Sequence, residues 1–361
     1  MLMQFIVVLS YIAIPAALVC AIDDWFLRPR RQLAAAPQVI SDPPLLSALY
    51  YILPILVGAG VIRMLVAERL DFSLVLVLIA TATGLIWLAD VVLFRPHRIA
   101  AARAHGKDPA LVREPGTVDY ARSFFPVAIV VLVLRSFIFE PFRIPSDSMM
   151  PTLVDGDFII VNKYAYGLRV PVLNHKFIPI GEPHRGDVVV FRYPRDPSIN
   201  YIKRLVGLPG DHVQVRDDRL FINGKAVPFA EDGEYNDGCY VNMRIATEHL
   251  GDHTHKAIYC PVPLEITGEA PPTCNRSEAR GYYCGTEEAR NNYGDLGAAE
   301  MDVPPGHYLM IGDNRDNSED GRVWGFVPED YLVGKATRIW FNWDLHRTGG
   351  PAWSRIGRHI D

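Results

Sequence analysis

Apolar residues gather into four long runs ahead of residue 142, and beyond it they come in short alternating bursts. The runs cover residues 2–22, 45–67, 70–94 and 122–140. Each is long enough to cross a hydrocarbon layer as a helix. The apolar heart of the last, Phe124 to Phe139, is short, but Arg122 and Arg135 can reach toward opposite interfaces. Arg63 has the same escape near the end of the second run, and Pro15, Pro54 and Pro126 are tolerated in such helices. After Leu153 the spacing changes to strands and turns. Phe158–Val161, Gly186–Phe191, Tyr201–Val206, Leu220–Lys225, His307–Ile311 and Ala336–Phe341 read as strands or hairpin arms, with Asn223-Gly224 at one tip and Leu208-Pro-Gly-Asp211 as a turn. Many short strands without amphipathic helices predict a barrel or sandwich.

Composition sharpens this division. An apolar fraction of 49% over 361 residues and a mean hydropathy of +0.09 are high for a soluble protein, and the excess lies before Phe142. A membrane anchor followed by a water-facing part is the expectation. The net charge of −5 gives no reason to invoke nucleic acid. Basic residues cluster after the first run (Arg28, Arg30, Arg31) and between the third and fourth (Arg95, Arg98, Arg103, Lys107, Arg113, Arg122). Both loops are cytoplasmic if runs two and three form a hairpin, which puts everything after Phe139 on the far side. Met1-Leu-Met-Gln-Phe5 has no basic residue, so the first run is expected to be an uncleaved anchor.

Between Phe229 and Val303 the chain turns to Gly, Glu, Asn, Pro and cysteine, which reads as an insertion with too few apolar residues for its own core, or as a loosely ordered excursion. Cys20 sits in a membrane run as a small apolar residue. Cys239, Cys260, Cys274 and Cys284 share the insertion, and in an oxidising compartment they predict two disulfides of undetermined pairing. His253-Thr-His255 near Cys260 leaves a metal site as the alternative, without any Cys-x-x-Cys spacing to support it.

Three segments carry candidate chemistry. Arg143-Ile-Pro-Ser-Asp-Ser-Met-Met-Pro-Thr-Leu153 leaves the last apolar run with two serines. Tyr201-Ile-Lys-Arg-Leu-Val-Gly207 is a strand in which Tyr201, Lys203 and Leu205 share one face, and Ile202, Arg204 and Val206 the other. Gly312-Asp-Asn-Arg-Asp-Asn-Ser-Glu-Asp-Gly-Arg322 is a polar loop following a strand. A serine needs a base to become a nucleophile, and a buried lysine can be one. With a pKa of about 10.4 only roughly one amine in 2,500 is neutral at pH 7, but burial can lower it by about 3–5 units. Taken singly, each segment also reads as an ordinary turn or surface strand.

Together and in this order the segments resemble bacterial type I signal peptidase, the membrane-bound Ser/Lys leader peptidase, over Arg135 to Ile356. The resemblance implies N-terminal transmembrane α-helices followed by a mainly-β exported catalytic domain, a signal-peptidase-like β-barrel, with the disulfide-containing insertion. The anchor would be residues 1–141, the catalytic β domain 142–211 with 305–361, and the inserted β/loop subdomain 212–304. Ser148 would be the nucleophile and Lys203 the general base. The Ser148 amide and the Ser146 hydroxyl would form the oxyanion hole, and Ser318 would hydrogen-bond the lysine amine. Asp320 with Arg322, and Asp313 with Arg204, resemble supporting ion pairs.

Phe142, Ile144, Pro145, Met149, Leu153, Tyr201 and Ile202 match positions that shape shallow pockets for small residues at −1 and −3 of the cleaved bond. The peptide would lie extended on a strand edge. Trp340, Phe341, Trp343 and Trp353 include positions like those of the family's membrane-facing surface, with a packed core as the alternative for Trp340. The resemblance further implies preproteins with signal peptides as substrates, the lipid bilayer and the secretion translocon as partners, and a multi-pass place in the bacterial inner membrane with the catalytic domain periplasmic. It implies no metal and no cofactor.

Two features depart from the family pattern. Asp147 stands between the serines where glycine is familiar, and its side chain is expected to face away from the lysine; the N-terminal region also has an additional apolar hairpin. Two alternatives share parts of the pattern: another Ser/Lys β-fold protease such as a self-cleaving repressor, and a non-catalytic membrane-anchored β module that binds exported chains. The first lacks reason for four spans, the second for Lys203 beside Ser148.

Overall fold

The computed structural model describes residues 19–20, 22–28, 30–31, 48–49, 52, 58, 72–106, 108, 114–173, 175–237, 240–260, 299–343 and 350–361. The chain divides into two compact units, Met1–Arg135 and Ser136–Asp361.

In the first unit two helices, α1 (Phe72–Ala104) and α2 (Gly116–Ile138, reaching into the second unit), are long and apolar enough to cross a membrane. The spans expected at 2–22 and 45–67 lie almost wholly outside the described residues. The helices run beyond the apolar segments that seeded them. α1 continues through the basic stretch Arg95–Ala104, and α2 starts six residues before Arg122, behind Pro115. Acids secure the polar ends. The Asp24 carboxylate accepts from the amides of Gly116 (2.8 Å) and Thr117 (2.7 Å), satisfying two of the unpaired donors that open a helix. Arg31 forms a fork with Asp23 at 2.6 and 2.8 Å, and Arg98 reaches back two turns to Asp90.

The second unit is built from strands. In chain order they are β1 (Phe139–Arg143), β2 (Asp157–Asn162), β3 (Leu168–Arg169), β4 (Lys176–Ile178), β5 (Val188–Tyr193), β6 (Asp196–Gly207), β7 (His212–Arg216) and β8 (Arg219–Ile222). Then follow β9 (Lys225–Ala226), β10 (Phe229–Asp237), β11 (Tyr240–Leu250), β12 (His253–Tyr259), β13 (Ala299–Asp302), β14 (His307–Ile311), β15 (Val327–Pro328) and β16 (Leu332–Asn342). The main sheet has the order β1-β2-β16-β5-β6-β14-β15, and all its pairs are antiparallel. β2 alternates buried and half-buried positions, as a strand with one core face should. β5 is buried from Val188 through Phe191 because both its faces are covered. Val188 and Val190 join Ile144, Met149, Leu153, Ile159 and Ile202 in one cluster. Val189 and Phe191 join Leu205, Met310 and Trp324 in another.

Ile144, the residue after β1, and Ile202 of β6 belong to one apolar cluster with Ile159 of β2, Ile339 of β16 and Val190 of β5, so one face of the sheet carries a continuous core from the first strand to the lysine strand.

The described residues of the insertion form regular strands. β10, β11 and β12 form a three-stranded sheet, and β13-β7-β8-β9 a four-stranded one. The tip of β8–β9 has Asn223 (φ 51°) and Gly224 (φ 77°), the two left-handed residues that a two-residue hairpin turn requires. The expectation of too few apolar residues overlooks what the insertion borrows. Tyr240, Met243, Ile245 and Ile258 pack on Met150 and Val154, while Val213, Val215 and Leu220 share a core with Val206, Leu309 and Ile311. Its strands are therefore anchored on the catalytic candidate segments and are no loose excursion. Cys260 is buried beside them; Cys239, Cys274 and Cys284, and with them the expected pairing, lie outside the described residues.

Candidate active site

Three chain segments converge. The first leaves β1, where the Ile144 amide bonds the Asp157 carbonyl at 2.8 Å and the Gly156 amide returns to Ile144 at 3.1 Å. The run then turns on itself, with Met150 N–H to Asp147 O at 3.0 Å and Leu153 N–H to Met149 O at 2.9 Å. Met149, Met150 and Leu153 are fully buried and fix this turn to the core. Asn314 holds it from the other side: its backbone N–H donates to the Ser148 carbonyl and its side-chain amide to the Asp147 carbonyl, both at 3.1 Å. Gly312 is needed here, since a Cβ would collide with the Ser148 carbonyl and Ser318 Oγ. No backbone carbonyl among the described residues accepts from the Ser148 amide, which leaves that donor for a ligand.

β6 supplies the second segment. Strand alternation and the register Lys203↔Val189 send the Lys203 side chain to the face shared with Leu205. Its Nζ donates to Ser148 Oγ at 2.6 Å and to the Ile202 carbonyl at 3.0 Å. The side chain is only 4% exposed and has no carboxylate partner among the described residues. Burial lowers its pKa to about 8, against the pull of Asp320, Glu319 and Asp313, with Arg322 acting in the same sense as burial. The Tyr201 ring centroid lies 5.4 Å from Nζ. Ser146 Oγ is 3.4 Å from Ser148 Oγ and lies on the exposed side of the loop. A hydroxyl, an amine that burial makes easier to deprotonate, and two donors flanking them can perform acyl transfer.

The loop after β14 is the third segment. Arg204, wholly buried, forms a fork with Asp313 (2.8 and 2.7 Å) and donates to the Gly186 carbonyl at 2.7 Å. Thr152 Oγ1 adds a 2.5 Å bond to Asp313, so one carboxylate ties β6 to the serine loop. Burial alone would raise the Asp313 pKa, but the guanidinium outweighs it and the net direction is down. Asp320 caps the short helix α3 (Gly321–Trp324) through the Arg322 amide at 3.1 Å. It also accepts from the Arg322 guanidinium at 2.9 and 2.8 Å and from the Gly312 amide at 3.0 Å. Burial would raise its pKa too, and Arg322 brings it down.

One expectation changes at this point. Ser318 is buried beside Gly312 and the Ser148 carbonyl, but its hydroxyl makes no hydrogen bond among the described residues, so the bond expected from Ser318 to the Lys203 amine is not formed. The amine's second bond goes instead to the Ile202 carbonyl, which is nearer along its own strand. Asp147, expected to face away from the lysine, turns toward Tyr240 of the inserted sheet. Its carboxylate accepts from the Tyr240 hydroxyl at 3.3 Å, and that hydroxyl accepts from the Asn317 amide at 2.6 Å.

The candidate pocket residues divide. Ile144, Met149, Leu153 and Ile202 form one cluster with Phe142 against it, whereas Tyr201 lies on the other face, stacked on Tyr193 at 4.3 Å. Met149 and Leu153 are 0% exposed, so they can shape a pocket only from behind; Pro145 is exposed at the rim. Trp340, Trp343 and Trp353 are exposed at 46%, 48% and 73%, which decides against a packed core for Trp340. Sequence reasoning passed over Asn314, Asn317 and Tyr240. The two asparagines stood inside the quoted polar loop, whereas nothing local to Tyr240 marked it.

Residues 117–341 match the family model described as "Signal peptidase, peptidase S26". The chain is 43% identical over 309 residues to Signal peptidase I of Pseudomonas aeruginosa, covering 80% of this chain and 98% of that protein. It is 41% identical over 309 residues to Signal peptidase I of Pseudomonas fluorescens, with the same two shares. A third Signal peptidase I, from Buchnera aphidicola, is 37% identical over 254 residues, covering 65% of this chain and 79% of that protein.

Proposed function

The chain belongs to the signal peptidase family, peptidase S26, and on that premise we propose that it is a membrane-bound serine endopeptidase that removes N-terminal signal peptides from exported preproteins. The observation that carries the mechanism is the 2.6 Å bond between Ser148 Oγ and a buried lysine without a carboxylate. Ser148 Oγ attacks the scissile carbonyl carbon while Lys203 Nζ accepts the hydroxyl proton. The negative oxygen that develops is met by the Ser148 amide and the Ser146 hydroxyl. As the C–N bond breaks, the Lys203 ammonium returns that proton to the leaving amine, which departs as the new N-terminus of the mature chain. An ester joins Ser148 to the signal peptide. Lys203 then takes a proton from water, hydroxide adds to the ester, and the proton passes to Ser148 Oγ as the signal peptide leaves.

Arg204–Asp313 and Arg322–Asp320 serve this reaction by fixing β6 and the loop of Gly312 against the serine turn. Phe142, Ile144, Pro145 and Ile202, backed by Met149 and Leu153, line the pockets for small side chains, with Tyr201 beside the lysine. Ser318, buried next to Ser148, is poised to take up the lysine amine once substrate displaces it. The N-terminal runs anchor the enzyme as a multi-pass protein with the catalytic domain on the periplasmic side, where Cys239, Cys260, Cys274 and Cys284 would pair as disulfides. Preproteins, the bilayer and the translocon are its proposed partners.

Cleavage of a synthetic signal-peptide substrate by the full chain in detergent tests the reading. Ser148→Ala and Lys203→Ala should each abolish cleavage while the protein still unfolds cooperatively. Full cleavage by both variants would sink the dyad, and cleavage by the serine variant alone would demand another nucleophile.

A further inference from the structure

Asp147 presents a physical problem that the dyad does not resolve. It places a carboxylate on the residue next to the nucleophile, and an anion close to Lys203 would favour the protonated, inactive form of the base. Three carboxylates already act in that sense: Glu319, Asp320 and Asp313, the last two engaged by Arg322 and Arg204. Asp147 is engaged differently, by groups from the inserted sheet and from the loop after β14. Tyr240 opens β11, is 3% exposed, and donates its hydroxyl proton to Asp147 Oδ2. Asn317 Nδ2 donates to that hydroxyl in turn, so the donors run in one direction, amide to phenol to carboxylate. The phenol cannot swing away, because its ring is packed with Met150 and Val154 of the serine turn and with Met243, Ile245 and Ile258. Burial first, and then the facing Asp147 charge, push the Tyr240 pKa far up, so it stays a donor at any working pH.

We propose that Tyr240, held by Asn317, is a positioning residue that clasps the Asp147 carboxylate away from the Ser148–Lys203 pair, and that the inserted β10–β12 sheet thereby sets the pH range of catalysis. This rests on the dyad reading above. The Tyr240 hydroxyl thus joins the insertion to the acid in the serine box.

The test is the pH profile of kcat/KM for a synthetic signal-peptide substrate, measured on the full chain in detergent. Tyr240→Phe keeps the ring packing and removes the donor. With that donor gone the carboxylate is held less firmly, and the acid limb should move upward by about 0.5–1 pH unit, which makes cleavage at pH 7 about three- to tenfold slower and leaves it nearly unchanged well above the limb. In an Asp147→Asn background the same Tyr240→Phe change should produce no shift, since no charge remains to be released. Asn317→Ala, which leaves the phenol packed, should shift the limb in the same direction by less. An unmoved limb in Tyr240→Phe, or a shift of equal size in the Asp147→Asn background, overturns the clasp. Should Tyr240→Phe fail to fold, an unmoved limb in Asn317→Ala overturns it. None of these outcomes touches the dyad, whose own failure would be read from the Ser148→Ala and Lys203→Ala variants.

Discussion

Lys203 and Arg204 are neighbours on one strand, both buried, and the structure treats their charges in opposite ways. Arg204 receives a carboxylate in fork geometry, a threonine hydroxyl on that carboxylate, and a backbone carbonyl. Lys203 receives a serine hydroxyl and a carbonyl, and no anion within ion-pair distance among the described residues. A buried cation with a well-shaped counter-ion is held as a cation, whereas a buried amine without one binds its proton more weakly. Strand alternation alone separates the two environments: Arg204 is the fixed point of the scaffold, and Lys203, one residue away, becomes a base.

The largest test of that contrast is Lys203→Arg, which keeps the charge but cannot release a proton near neutral pH. Cleavage should fall by more than about 10⁴-fold at every pH, and the acid limb of kcat/KM, expected near pH 8 in the unmodified enzyme, should disappear. A pH-dependent residual rate in this variant would break the comparison. Next comes Asp313→Ala, which leaves Arg204 buried and unpaired. Unfolding of the solubilised protein should show a loss of about 3–5 kcal/mol, and the Arg204→Met/Asp313→Leu double variant should recover most of it. Equal losses in the two would mean that packing, not charge, is what Asp313 supplies.

Lys203→Met should do the reverse and stabilise the protein by about 3 kcal/mol at pH 7 while abolishing cleavage. The sign follows from the depressed pKa. Between pH about 8 and 10.5 the unfolded chain binds a proton that the folded one does not, so stability rises with pH through that window. Below pH 8 the penalty on the native lysine is complete. The gain from Lys203→Met should therefore shrink as pH is raised from 8 to 10.5, and a gain constant with pH would show that it comes from packing. Thr152→Val should give the smallest effect, a loss of about 1 kcal/mol in the same unfolding measurement. Asp313 keeps its fork to Arg204 when the threonine is gone.

Much of this contrast could be read before the structure was seen, and the unread parts share a cause. β14 runs over the residues its apolar alternation marked, and β2 exceeds its expected range by one residue at each end. β6 begins five residues earlier than its apolar alternation, because Asn200 and Asp196 pair with Arg192 and Tyr193 at the end of β5, in an exposed arm with no apolar face to announce it. The inserted sheet was hidden by its polarity. Tyr240, Met243, Ile245 and Ile258 are too few for a core, and they suffice only because Met150 and Val154 complete it. The polar loop after β14 was quoted for Asp313, Ser318, Asp320 and Arg322, yet Asn314 and Asn317 in the same run hold the serine turn and Tyr240. An asparagine makes such bonds only where folding brings an acceptor, and its sequence neighbours do not say where that is.

By itself the sequence determined the division of the chain into apolar helices and a β part, the opposed faces of Lys203 and Arg204, and the pairing of a serine box with a lysine strand. The first two follow from periodicity and residue type, which act over a few residues, and the third from the resemblance to the family. Only the tertiary structure decided that Ile144 and Ile202 share one core, that burial takes Lys203 to about pH 8, that the Ser318 hydroxyl has no partner among the described residues, and that Asp147 is taken up by Tyr240 ninety-three residues away. Those are properties of enclosure and long-range contact, set by which groups the fold brings together and shuts away from water.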